Sequence, residues 1–221
     1  FRLPKFSLSF FRTQIAEGSM LPSGKMPYEV FIPAYRDEIL SETVMVYGNV
    51  DEVELVLNGK TIRRQTADKG PDSDYIPVPN GGNGKNLHFP PFTFYGVPKE
   101  RGVLKAVGYH QGKKVAEYTV KTPGVPERLD ITYFESGKPA TKNDLLIVYV
   151  RMLDKQGVLC PVNGIPVELS VQGGEIVGPT SYPLEAGVAS FLVRTGEISK
   201  ININATGKGF STRKSLKVGK E

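Results

Sequence analysis

Apolar and polar residues alternate along most of this chain, and the alternation begins near residue 29. A period of two places successive side chains on opposite faces of a strand, so each run predicts a strand with one buried face. Asn58-Gly59 lies between two such runs and predicts a tight hairpin, because both turn positions need a positive φ. A second hairpin is predicted to turn at Gln111-Gly112. The runs lie at residues 30–32, 44–46, 53–57, 61–65, 103–109 and 114–120.

Alternating runs recur in the second half, and their regular spacing with turn residues between them predicts a β-sandwich. Two prolines and a glycine within residues 121–126 interrupt the pattern, which is typical of an interdomain linker. We therefore predict an all-β chain of two tandem β-sandwiches, at residues 27–123 and 124–221. The runs of the second half lie at residues 129–134, 145–153, 166–171, 188–194, 199–205 and 213–218.

The first residues follow a different pattern. Large apolar side chains at positions 3, 6, 10 and 11 are spaced as on one face of a helix, and Pro4 is tolerated in a first helical turn. Isolated helices of this length are marginal in water. A short N-terminal helix is therefore predicted to pack either against the first sandwich or against a domain that this chain lacks.

The composition of the 221 residues limits the chemistry. The chain has one cysteine, two histidines and no tryptophan. A single Cys160 excludes an internal disulfide framework and a thiolate metal cluster, and we predict that it is buried. Two histidines are too few for most zinc or non-haem iron sites. We predict no cofactor and no metal site, with a weak calcium site at Asp68, Asp72 and Asp74 as the alternative to a solvated loop.

The charge of the chain does not indicate a polyanionic partner. Lys and Arg number 28 against 23 Asp and Glu, a net charge of +5, but the basic residues are scattered without a continuous stripe. No apolar run is long enough for a membrane-spanning helix. We therefore predict neither a nucleic-acid partner nor a membrane partner.

Acidic residues are the first place to look for hydrolytic chemistry. Acid–base hydrolysis of a glycoside uses two carboxyl groups across a cleft, one of them with a raised pKa. Glu42, Asp51, Glu52 and Glu54 lie on or beside predicted strands and alternate outward with the apolar residues. They are predicted to be surface charge, and no catalytic residue is predicted.

Aromatic residues cluster around a long polar stretch at residues 68–86, which is predicted to be an exposed loop. An exposed ring can stack on the apolar face of a sugar, so the cluster has two interpretations, core packing or a carbohydrate contact. The candidate carbohydrate-binding residues are Tyr75, Phe89, Phe92 and Tyr95, with Phe94 beside them.

Several blocks of the sequence resemble one enzyme family. Residues 2–14 are similar to the stretch R-x-P-K-x-S-Y-Y-F-[YF]-x-S-Q that closes the last barrel helix in bacterial β-galactosidase-type enzymes of glycoside hydrolase family 2. Leu8 and Ser9 replace the two tyrosines of that pattern, which indicates divergence or altered packing of the helix. Similar blocks follow in order at residues 44–60, 90–94, 102–109, 122–129 and 146–178.

The resemblance implies two immunoglobulin-like domains after a catalytic barrel. Residues 1–26 would be the end of a barrel helix and its connector, and the chain would be a non-catalytic accessory region of a larger enzyme. Its partner would be the barrel of the same parent chain, and an oligomer formed through the parent enzyme is left open. A periplasmic or extracellular location is implied by the resemblance alone. A carbohydrate-binding module and an adhesin-like surface protein are the alternative functions.

Overall fold

The computed structural model describes residues 5–34, 42–68, 87–133 and 140–219. One short helix and seventeen strands make up these segments. In chain order they are α1 (Phe6–Arg12), β1 (Met20–Leu21), β2 (Gly24–Lys25), β3 (Val30–Phe31), β4 (Val44–Gly48), β5 (Glu52–Leu57), β6 (Lys60–Thr66), β7 (Phe92–Phe94), β8 (Val103–His110), β9 (Lys113–Lys121), β10 (Arg128–Tyr133), β11 (Leu145–Leu153), β12 (Pro166–Gln172), β13 (Gly174–Ile176), β14 (Ser181–Pro183), β15 (Val188–Thr195), β16 (Lys200–Gly207) and β17 (Phe210–Lys217).

The strands form antiparallel sheets in two compact units, one ending at Thr122 and the other beginning at Pro123. In the first unit the sheets have the orders β3-β4-β7 and β6-β5-β8-β9, and β1 pairs with β2. In the second unit the orders are β10-β11-β15-β13 and β14-β12-β16-β17. The predicted all-β sandwich architecture is confirmed. Helix α1 lies in the same compact unit as the first sandwich.

Each unit has its own core, and the alternation in the sequence accounts for it. Along β5 the side chains of Val53, Leu55 and Leu57 are buried while the residues between them are partly exposed. Along β16, Ile201 and Ile203 are buried in the same alternating way. Burying one such side chain stabilises a fold by about 1.5–3 kcal/mol, so these strands contribute strongly to their cores.

The boundaries of some elements differ from the prediction. Helix α1 covers seven residues of the stretch predicted to be helical. Strand β17 begins at Phe210, three residues before the predicted start at 213. The short strands β7, β13 and β14 were not predicted, because three residues are too few to show an alternation. The predicted loop at 68–86 lies outside the described residues apart from Asp68.

The hairpin between β5 and β6 turns at the predicted pair. Asn58 has φ 51° and Gly59 has φ 81°, so both residues adopt the left-handed conformation. The Asn58 side chain adds two bonds, since its Oδ1 accepts from the Val103 N–H (2.9 Å) and its Nδ2 donates to the Arg101 carbonyl (3.0 Å). The turn is thereby tied to the start of β8.

Replacing Gly59 with alanine tests this turn. A Cβ atom at this position would meet no other atom within 4 Å, so the positive φ alone makes alanine unfavourable. We therefore expect the free energy of unfolding to fall by about 1 kcal/mol. Urea denaturation followed by circular dichroism measures the change. Lys60→Ala is the control, since Lys60 is an exposed neighbour without a positive φ. Equal stability of the Gly59 variant and the parent chain would contradict the assignment.

The second unit begins with a backbone segment held by a buried carboxylate. Asp154, which follows β11, is 2% exposed. Its Oδ2 accepts from the Gly124 N–H (2.7 Å) and its Oδ1 from the Val158 N–H (2.8 Å). Burial opposes ionisation, but backbone donors from Gly124, Val158, Gln156 and Gly157 outweigh that effect and lower the pKa of Asp154. The carboxylate is therefore ionised at neutral pH.

Cys160 lies beside this anchor. It is a free cysteine with 2% of its surface exposed, as predicted. Burial, with a smaller contribution from Asp154, raises the pKa of the thiol. A buried thiol with a raised pKa is a poor nucleophile, so the residue belongs to the core.

Candidate functional site

Helix α1 has one face against the first sandwich and one face exposed to solvent. The Phe6 ring lies 5.6 Å from the Phe31 ring, and the Phe10 ring lies 5.0 Å from the Tyr47 ring in an edge-on arrangement. On the other face, Phe11 is 65% exposed. Leu8, three positions earlier on the same face, is 52% exposed. We call Leu8 and Phe11 the outer face of α1.

Polar contacts fix the end of α1 and its connector onto the sandwich. The Arg12 guanidinium forms an ion pair with the Glu29 carboxylate, and the hydrogen bond between them raises the pKa of Arg12. Gln14 forms two bonds with the backbone of Phe89, donating to its carbonyl (3.0 Å) and accepting from its N–H (3.1 Å). The helix is thus held at a defined position on the first unit.

Asn49 is the central residue of this attachment. It follows β4 directly and is 3% exposed. Its Oδ1 accepts from the Glu29 N–H (2.6 Å), while its Nδ2 donates to the carbonyls of Ile15 (2.9 Å) and Pro27 (3.0 Å). One buried amide therefore satisfies three backbone groups of the connector. Asn49 was not among the predicted site residues, although an Asn directly after a strand is a recognised turn signal.

The predicted carbohydrate contacts do not form one aromatic platform in the described residues. Phe92 is fully buried in β7 and packs in the core, so core packing, the first of the two interpretations, describes this ring. Phe89 is partly buried against the His88 ring. Tyr95 is 37% exposed, and Tyr75 lies outside the described residues. Neighbouring Phe94 is also buried, at 1% exposed.

The acidic residues of the first unit are held in local surface networks. Glu54 accepts hydrogen bonds from the Tyr109 hydroxyl (2.7 Å) and the Thr61 hydroxyl (2.7 Å), which lower its pKa. Glu52 pairs with Arg64 (2.6 Å), whose guanidinium lies 3.7 Å from the centre of the Tyr109 ring. A lowered pKa is the opposite of what a glycosidic acid catalyst needs.

Two other acidic side chains are also engaged locally. Asp51 accepts from the Gln111 N–H (2.9 Å), which with a contact to His110 lowers its pKa, and Glu42 pairs with Lys99 (3.1 Å). These contacts agree with the prediction that the acidic residues are surface charge.

Asp68 differs, because burial raises its pKa even though Thr93 donates hydrogen bonds to it from its hydroxyl (2.6 Å) and its N–H (3.2 Å). The other residues of the alternative calcium site, Asp72 and Asp74, lie outside the described residues. Across the described ranges no group of three or more His, Cys, Asp or Glu side chains is arranged to hold a metal ion. In these same ranges no helix is long enough and apolar enough to cross a bilayer.

The second unit carries an open cleft of about 450 Å³. Arg194 of β15 lines the cleft and forms an ion pair with Glu175, the residue directly opposite it in β13. Asn143 donates to Glu197 (2.6 Å), which also pairs with Lys142 (3.4 Å). Gly174, Thr195 and Gly196 complete the lining. We call Asn143, Glu175 and Arg194 the polar cleft.

The sequence matches one family model and is similar to β-galactosidases. A family described as a domain of unknown function, DUF4982, matches residues 41–116. A β-galactosidase of Thermoanaerobacter pseudethanolicus is 30% identical over 207 residues, which are 88% of this chain and 26% of that protein. A β-galactosidase of Rhizobium radiobacter is 30% identical over 129 residues, which are 58% of this chain and 92% of that sequence.

Structure comparison gives the same fold. A β-glucuronidase from glycoside hydrolase family 2 superposes with a TM-score of 0.75 at 21% identity, covering 99% of this chain and 22% of that one. The chain therefore spans about a quarter of the length of the Thermoanaerobacter relative and of this solved structure.

Proposed function

We propose, because this chain belongs to the C-terminal region of glycoside hydrolase family 2 enzymes of the β-galactosidase type, that it is a non-catalytic accessory region that braces a catalytic barrel. The barrel would be part of the same parent polypeptide. The proposal is supported by the share of the relatives that the chain spans, 26% for the Thermoanaerobacter β-galactosidase. It is also supported by Asp51 and Glu54 of the first unit, whose local hydrogen bonds lower their pKa.

The observation that carries the proposal is the outer face of α1. Leu8 and Phe11 are exposed on a seven-residue helix whose other face and connector are fixed to the sandwich. A helix this short has little stability of its own, so its position depends on its contacts. Burial of each exposed side chain against a barrel would contribute about 1.5–3 kcal/mol. We infer that the outer face of α1 is the surface on which the barrel packs.

The absence of catalysis is directly testable. The purified chain should not hydrolyse p-nitrophenyl β-galactoside or p-nitrophenyl β-glucuronide above the buffer rate. The assay is release of p-nitrophenol at a protein concentration high enough to detect one turnover per hour. Turnover that survives a second purification and scales with the chain would overturn the non-catalytic assignment.

Docking on the barrel is tested with the polypeptide encoded upstream of Phe1 in the same reading frame. We expect this polypeptide to bind the chain, and Phe11→Glu or Leu8→Glu to weaken binding at least tenfold, since about 1.4 kcal/mol corresponds to a factor of ten. Val125→Glu is the matched control, because Val125 is an apolar residue 83% exposed in the second unit. Biolayer interferometry measures the affinities.

Two results would contradict this proposal. One is an upstream reading frame that does not encode a barrel. The other is binding that Val125→Glu weakens as much as the two α1 variants do, since the effect would then follow the added charge rather than the helix face.

A further inference from the structure

One outer sheet surface of the second unit departs from the usual alternation. In β11, Leu146 and Val148 point into the core, so Leu145 and Ile147 lie on the outer side of the sheet. In β15, Val193 points into the core and places Leu192 on the outer side. Leu145 is 50% exposed, and Ile147 and Leu192 are partly exposed. The solvent-facing side of an antiparallel sheet normally carries polar side chains, so the presence of three apolar residues there requires an explanation.

The strand register places these residues together. Ile147 pairs with Leu192, and Leu145 pairs with Arg194. Directly opposite residues in neighbouring strands have Cβ atoms about 5 Å apart, so Leu145, Ile147 and Leu192 form one continuous surface. We call it the apolar shelf. Arg194 in turn pairs with Glu175 of β13, so the polar cleft lies directly beside the shelf.

Two planar side chains of the polar cleft, Arg194 and Asn143, have hydrogen-bonding groups that are not used by their partners. Arg194 has five N–H donors, and in the described residues its bond to Glu175 uses Nη1. The Asn143 amide donates through Nδ2 to Glu197, and its carbonyl oxygen can still accept. A surface that combines an apolar shelf with a guanidinium, a carboxylate and an amide matches a saccharide, which presents C–H faces and hydroxyl edges.

The charges around the cleft indicate the kind of saccharide. Arg194 is balanced by Glu175 in the cleft, and Lys142 is balanced by Glu197, the partner of Asn143, beside it. An anionic ligand would have to displace or face two carboxylates, whereas neutral hydroxyl groups can bond to either charge. We propose that the apolar shelf and the polar cleft together bind a neutral saccharide, at a site in the second unit.

This inference does not depend on the barrel, so the 221-residue chain alone is the sample. Ligand-observed NMR with β-1,4-galactotetraose should give saturable binding with a Kd on the order of 1 mM, while tetragalacturonate should bind at least fivefold more weakly. Arg194→Lys keeps the charge and removes the planar fork, and Leu145→Ser removes part of the shelf. Each should weaken galactotetraose binding at least fivefold, because a lost contact of about 1 kcal/mol has that effect.

The controls use a matched ion pair and an exposed aromatic residue of the first unit. Arg64→Lys alters the Arg64–Glu52 pair on a sheet surface, and Tyr95→Ala removes a half-exposed ring, so both should leave the affinity unchanged. No binding at 10 mM sugar, tighter binding of tetragalacturonate, or loss of binding in Tyr95→Ala alone would each overturn the proposal. Concentration-dependent self-association that Leu145→Ser abolishes, with sugar binding intact, would reassign the shelf to protein docking.

Discussion

Replacing Asn49 with alanine should lower the free energy of unfolding of the first unit by about 3 kcal/mol. The side chain is buried and satisfies the Glu29 N–H and the carbonyls of Ile15 and Pro27. Alanine would leave these groups without their partner, and water reaches the site poorly. The cost should appear as release of the connector before the sandwich itself unfolds.

Hydrogen exchange measured by mass spectrometry can detect that release. Peptides from residues 13–17 and 26–31 should lose protection, while those from β16 of the second unit should exchange as in the parent chain. Asn204→Ala is the control, because its partly exposed amide makes only a 3.5 Å contact to Ser170. Unchanged protection of the connector in Asn49→Ala would show that the three bonds do not hold it.

Replacing Asp154 with asparagine should destabilise the second unit by about 2–3 kcal/mol at neutral pH. The carboxylate accepts from the N–H groups of Gly124 and Val158 through its two oxygens. Asparagine has one acceptor oxygen and would direct its NH₂ group at the remaining N–H. Exchange of the amides near Gly124 and urea denaturation measure the effect, with the exposed Glu168→Gln as the control.

The pH dependence of the Asp154 effect has a definite sign. Because the folded pKa is below the unfolded value of about 3.9, the carboxylate contributes stability above that value and loses it as pH falls through the folded pKa. The stability difference between the parent chain and Asp154→Asn should therefore be constant from pH 5 to 8 and shrink below about pH 4. A difference that grows on acidification would contradict the assignment.

The parts of the fold that could be predicted are those set by local pattern. The alternation in residues 53–57 and the Asn58-Gly59 pair are both local, so they predicted the β5–β6 hairpin and its turn. The apolar run at 145–153 predicted β11 with the observed bounds. Its outward-facing Leu145 and Ile147 could not be interpreted from sequence, because periodicity does not show what covers a second apolar face.

The contacts that could not be predicted join distant parts of the chain. For Phe92 the sequence left both core packing and a sugar contact open, and the pairing of β7 with β4 places its ring in the core. Gln14 meets Phe89 across 75 positions, and no local pattern encodes such a pair. The Arg194–Glu175 pair likewise depends on β13, a strand too short for its sequence to indicate.

The attachment of α1 has a mechanical consequence. Ion pairing by Arg12 and hydrogen bonding by Gln14 and Asn49 act on consecutive parts of the connector, so the helix and the sandwich are coupled without a free hinge between them. A force applied to the outer face of α1 would therefore pass into the sandwich through these contacts and through the Phe10–Tyr47 ring contact on β4.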